Sequence, residues 1–160
     1  MGVLALSIGL WCLVMYSLRV AFFGNPLYQT VVESEQGLLR RAEQMLAERR
    51  APASDAEAAF MRRFSRLTLL EFGAFLAEVG LLAFFLWRRT VVWVCAVLLA
   101  KNLVVIILGI FMARRHAAHG VFRSLLKLPP WYIWVDRAAA LVSGIGLLVT
   151  LLVVNRVLPW

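Results

Sequence analysis

The chain has 160 residues, of which 62% are hydrophobic and only 16% charged. A soluble domain carries about one half apolar and about one quarter charged residues, so an ordinary soluble globular domain is a poor fit. The net charge is +8, which in a soluble protein would point to nucleic acid. Here the basic residues are scattered between apolar blocks and no recognition motif accompanies them, so no nucleic-acid partner is expected. They read instead as headgroup-facing charges that set topology.

The apolar residues fall into four blocks separated by charge-rich segments, the layout of a membrane protein. The first block covers residues 3–23. It lacks a basic leader and a small-x-small cleavage site, so it is expected to be retained as a helix rather than removed as a signal peptide. Arg19 near its far end can snorkel to the headgroups. Gly24, Asn25 and Pro26 then break the helix.

Residues 27–66 form the longest polar segment, with seven arginines and six acids. Within it, residues 33–50 are expected to form an amphipathic helix independent of the spans. Leu38, Leu39, Ala42, Met45 and Leu46 recur at helical spacing with charges opposite, and Arg40 and Glu43 are placed to pair at i,i+3. Ala51, Pro52 and Ala53 end that helix. Ser54 and Glu57 then form an S-x-x-E capping-box pattern. No breaker follows before Arg88 and Arg89, so a single helix of about 33 residues is expected, whose stretch 67–87 is long enough to span.

The third block covers residues 90–113 and must form a tight antiparallel hairpin with the second, because only Arg88 and Arg89 separate them. After it come Arg114, Arg115, His116 and His119. Pro129 and Pro130 open the last unit, and Trp131, Tyr132 and Trp134 resemble an interfacial aromatic belt. The fourth block covers about residues 138–158, followed by Pro159 and Trp160. The expected fold is therefore all-α: one domain over residues 1–160, an integral membrane bundle of four transmembrane helices with an added cytoplasmic amphipathic helix between the first two spans.

Lys and Arg counts orient it. The two longer connections carry twelve: seven arginines in residues 24–66, then Arg114, Arg115, Arg123, Lys127 and Arg137. The opposite side carries Arg88, Arg89 and Arg156. Positive-inside places both longer connections in the cytoplasm and both termini outside, in a cell membrane such as the inner membrane of a bacterium.

Ionisable residues inside apolar spans cost several kcal/mol unless paired or hydrated. There are three, Glu71, Glu78 and Lys101, with Asn102 beside the lysine. Glu78 lies about ten residues before the hairpin centre and Lys101 about twelve after it, so at 1.5 Å per residue their depths differ by only about 3 Å. A Glu78–Lys101 pair is expected, either as a clamp that fixes helix register or as part of a proton or ion relay. Glu71 and Glu78 share one helix face. Gly73, Ala77 and Gly80 occupy the opposite face, as a small-residue stripe suited to helix packing. Ala139, Ala140, Ser143, Gly144 and Gly146 form a similar patch on the fourth span, and Cys95, Asn102 and Gly109 on the third.

The other chemistry-bearing residues carry weaker signals. Cys12 and Cys95 lie in apolar blocks without a CxxC and read as small packing residues. His116 and His119 stand at i,i+3 without an acid or cysteine nearby, so no metal or other cofactor is expected. There is no GxSxG, HExxH, Walker A or GxGxxG motif, and the polar segments are too short for a soluble catalytic domain. The expected function is a non-enzymatic membrane subunit or scaffold whose partners are the lipid bilayer and other membrane proteins, or a second copy of itself. The alternative is a small oligomeric ion- or proton-coupled transporter or channel using Glu78 and Lys101. A holin-like pore is a third reading, which the near-balanced charge of residues 27–66 disfavours.

Overall fold

The computed structural model describes residues 2–48, 50–116 and 121–155. Arg156, Pro159, Trp160 and His119 lie outside the described residues. Among the described residues the regular elements are all α-helices: α1 (Gly2–Phe23), α2 (Pro26–Val32), α3 (Gln36–Glu48), α4 (Asp55–Trp87), α5 (Val92–His116), α6 (Val121–Leu126) and α7 (Pro130–Val154). Four stretches, containing α1, α4, α5 and α7, are long and apolar enough to cross a bilayer.

The break after α1 is built from the residues that signal it. Gly24 has φ +88, a left-handed conformation that glycine enters without strain, and its N–H bonds back to Val20 O at 2.8 Å. Asn25 then caps α2, accepting from the N–H of Leu27 at 2.9 Å and of Tyr28 at 3.3 Å. Pro26 occupies the first helical position, where its missing N–H costs nothing. The break is therefore also a helix start, and α2 is an element the sequence pattern did not predict.

The start of α4 follows its capping residues with one change. Ser54 Oγ accepts from Glu57 N–H at 3.3 Å, but Glu57 Oε2 takes the N–H of Ala53 (3.0 Å) and not that of Ser54. Glu57 is 2% exposed and also meets Arg41 Nε at 3.5 Å. One carboxylate thus caps α4 and ties α3 to it.

The α4–α5 turn is wider than two arginines. Arg89 and Val91 both have positive φ, 55° and 57°, which is costly for a β-branched residue. Helix α5 therefore starts at Val92 rather than residue 90. Val91 is 1% exposed and packs in the main core, so burial of its side chain offsets the backbone strain. The α7 boundary is a larger correction. It starts at Pro130, eight residues before the predicted position, because proline suits the first turn of a helix. Asp136 and Arg137 consequently belong to the helix and not to a connection.

Helix α7 lies along α1, α5 lies on α7, and α4 is held against α5. The α1–α7 pair is fastened near both ends. Ser7 Oγ donates to Asn155 Oδ1 at 3.2 Å, and the Arg137 guanidinium sits against Gly24, where an added Cβ would come within 3.0 Å of Nη2. Between these points, Gly144 admits Leu18 and Gly146 admits Leu98: a Cβ at either glycine would meet leucine carbons at 2.9 and 2.8 Å. The main core gathers all four long helices around Leu10, Val14, Leu82, Phe85, Cys95, Leu98, Leu147 and Leu151.

A second apolar cluster lies at the other end. Val31 of α2, Leu39 and Ala42 of α3, Phe60 of α4 and Phe122 of α6 are buried together. Phe122 meets Phe60 and Phe64 edge-on, with centroids 5.3 and 5.0 Å apart. The segment 33–50 is thus helical over Gln36–Glu48 and packs on the first part of α4, ahead of the stretch 67–87 expected to span. Leu39 and Ala42 face the first part of α4, while Leu46 is 46% exposed, so the predicted five-residue apolar face is only partly used within the chain.

These glycine environments generate a contrast. Gly144→Val and Gly146→Val are expected to destabilise the protein by about 1–3 kcal/mol through overpacking. Gly73→Ala and Gly80→Ala, where an added Cβ meets nothing within 4 Å, are expected to be neutral or to stabilise α4 by up to about 1 kcal/mol. Thermal unfolding of the purified protein in mild detergent checks both.

Candidate functional site

Polar side chains meet where α4, α5 and α7 converge. Glu78 Oε1 accepts three donors: Lys101 Nζ at 3.1 Å, Asn102 Nδ2 at 3.2 Å and Ser143 Oγ at 2.9 Å. Lys101 also donates to the Ser143 hydroxyl, which passes its own proton toward Glu78. Glu78, Asn102 and Ser143 are buried, and the lysine head is nearly so. Local sequence explains the convergence. Lys101 and Asn102 are adjacent on α5, so one turn supplies a charged and a neutral donor. Gly146, close to Ser143 on α7, admits Leu98 and so lets α7 approach α5 closely near that level.

Ser143 is the residue whose role the sequence pattern missed. Its neighbours are small, so it reads as a packing position, yet its hydroxyl bridges the acid and the lysine. Gly144 does pack closely, against Leu18. Gly73, Ala77 and Gly80 are exposed on the side of α4 away from Glu78, with nothing within 4 Å of a Cβ at either glycine. The structure therefore leaves that stripe uncovered by the chain's own helices.

Glu71 lies two turns from Glu78 toward the end of the bundle that carries α2, α3 and α6. Asn25 reaches both Glu71 and Asp136. A cavity of about 210 Å³ runs beside Glu78, Lys101, Asn102 and Ser143 and is also lined by Asn25, Glu71 and Asp136. A larger cavity, about 680 Å³, shares those last three residues and extends among Tyr28, Phe64, Met112, Leu125, Tyr132 and Arg137. Two atoms at this site are buried without a hydrogen-bond partner, Glu71 Oε1 and Arg137 Nε. Asp136 lies outside the span that hydropathy places at about residues 138–158, whereas Pro130, which starts α7, brings it into the helix.

The polar stretch does not continue past Glu78. On the hairpin side the bundle is filled by the main apolar core, from Leu10 and Val14 to Leu98 and Leu151. The arrangement can therefore hold a solute at one end and lock three helices at mid-length. Among the described residues, no three His, Cys, Asp or Glu side chains come together as metal ligands. Cys12 is exposed and Cys95 buried, both as free thiols.

With this geometry in hand, comparison with protein-family models, curated proteins and solved structures finds no match to the chain.

The three-donor carboxylate generates a double-mutant cycle. Glu78→Leu or Lys101→Met alone strands a buried partner charge and is expected to cost about 3–5 kcal/mol. Glu78→Leu/Lys101→Met removes both charges and is expected to cost well under the sum of the single losses. Folded yield and unfolding midpoint in detergent measure this, and equal damage from all three variants would contradict direct coupling.

Proposed function

We propose that the chain is a non-enzymatic, multi-pass membrane subunit that associates with other membrane proteins. The observation that carries this reading is the division of α4 into two faces. One bears Glu71 and Glu78 and turns into the bundle, where Glu78 is bonded to α5 and α7. The other bears Gly73, Ala77 and Gly80 and is uncovered. Lipid tails are as apolar as leucine, so helices in a bilayer associate mainly by close packing and hydrogen bonding, and small-residue stripes allow the closest approach. The occupant this face suits is a transmembrane helix of another protein.

In the same reading the chain crosses a cell membrane four times, with both termini outside. The motivation is the asymmetry of Lys and Arg between the two sides, eleven against three once Arg137 is placed within α7. Helices α2, α3 and α6 and the first part of α4 then form a cytoplasmic cap. A Ser54→Cys probe in a Cys12→Ser/Cys95→Ser background is expected to resist a membrane-impermeant maleimide in intact cells and to react after permeabilisation. Labelling in intact cells would reverse the orientation.

Association is tested with Gly73→Leu/Gly80→Leu, which keeps the span apolar and leaves Glu78 untouched. A partner recovered in fixed stoichiometry with the wild-type protein from native membranes, and lost from the folded variant, is the expected outcome. A homodimer lost in its place would make the partner a second copy. The same proteins in the same amounts with both would reject this face as the contact.

A second reading, the ion- or proton-coupled transporter, is favoured by one observation: the cavities bring Glu71 and Asp136 into line with Glu78 and Lys101. The two readings part on Glu78→Leu/Lys101→Met. A subunit keeps its association in that variant, whereas a transporter reconstituted in liposomes loses its cation or proton flux.

A further inference from the structure

We propose that the larger cavity is a binding site for a lipophilic monocation, an organic amine or onium group on an apolar body. The inference goes beyond the subunit role and stands or falls separately from it. Its basis is the chemistry of the lining. At about 680 Å³ the cavity is of the size that encloses small organic ligands. Most of its wall is apolar, with Phe64, Met112, Leu125 and Ile133 offering burial but no hydrogen bonds. The acidic groups are Glu71 and Asp136, with Asn25 hydrogen-bonded to both, and Gln29, Thr68 and Ser124 add neutral polar groups to the wall.

Charge decides the sign of the ligand. Two carboxylates face the space and one guanidinium accompanies them, so the ionised lining carries one negative charge in excess. The guanidinium of Arg137 lies over the Trp134 ring, 5.8 Å from its centroid, and packs against Gly24, while its Nε is buried without an acceptor. Lys101 is hydrogen-bonded to Glu78 and Ser143, and its charge, offset by that of Glu78, also acts on Asp136. Glu71 Oε1 is left buried without a donor. A buried carboxylate oxygen without a donor is costly, and a ligand cation supplies what the chain does not. The rings of Tyr28 and Tyr132 also line the cavity, and ring faces attract a cation held near them. The geometry thus matches a charged head beside Glu71 and Asp136 and an apolar body toward α6.

Two probes of nearly the same shape and opposite charge test this. Tetraphenylphosphonium and tetraphenylborate are measured by equilibrium dialysis against the full-length protein in mild detergent, with empty micelles as the blank. The expected result is saturable binding of the cation and none of the anion. Glu71→Gln and Asp136→Asn, both isosteric, are each expected to weaken cation binding by about tenfold or more, the loss of one charge-assisted contact. Glu48→Gln, an exposed acid far along the chain, leaves it unchanged. If Glu71→Gln fails to fold, Asp136→Asn carries the same test. Equal affinity for both probes would reduce the site to a greasy pocket and overturn the proposal. So would tetraphenylborate alone binding, unchanged cation affinity in the folded acid variants, or no cation binding to the folded wild-type protein.

Discussion

A single carboxylate oxygen organises the middle of this bundle. Glu78 Oε1 takes donors from α5 and α7 at once, and those helices, with α1, make up the rest of the bundle. The constraint is severe because a buried charge left unpaired is far more costly than an apolar residue in its place. Helix α4 therefore cannot rotate or slide past α5 without stranding both Glu78 and Lys101. The apolar contacts along α4 are permissive by comparison: leucine and phenylalanine pack in many registers, but the three donors meet in one.

The remaining architecture supplies what that lock needs. Gly144 and Gly146 bring α7 close to Leu18 and Leu98, which places Ser143 at the level of Lys101. On the hairpin side the core is mainly apolar, and its buried Thr150 is satisfied within α7 by the carbonyl of Gly146. On the other side, the Phe60, Phe64 and Phe122 cluster closes the bundle with α2, α3 and α6. Polar groups are thus concentrated between two apolar clusters, and the cavities occupy that same interval.

Much of this was legible in the sequence, and for identifiable reasons. Glu78 and Lys101 could be paired because a short hairpin makes depth a matter of counting residues, and a widened turn at Arg88–Val91 shifts that count too little to matter. Ser54 and Pro26 marked helix starts through simple stereochemistry. Ser143 was illegible because a hydroxyl among glycine and alanine carries the same periodic signal as a packing residue; only the partner opposite it shows its role. Asp136 was lost through a boundary: hydropathy began the last span where charge stopped, whereas Pro130 begins the helix. The stripe of Gly73, Ala77 and Gly80 had the right pattern for close packing, but a pattern on one helix does not say which helix will cover it, and α4 turns that side away from its own chain.

Helix α4 runs unbroken from Asp55 to Trp87, so it behaves mechanically as a lever. Its outer end is gripped at Glu57 by Arg41 of α3 and at Phe60 by Phe122 of α6. Its inner end is gripped at Glu78. The helical rise from Glu57 to Glu78 is about 32 Å, and no proline hinge interrupts it. Glu71 lies between the two grips, so the cavity wall it contributes and the lock at Glu78 are parts of the same rod.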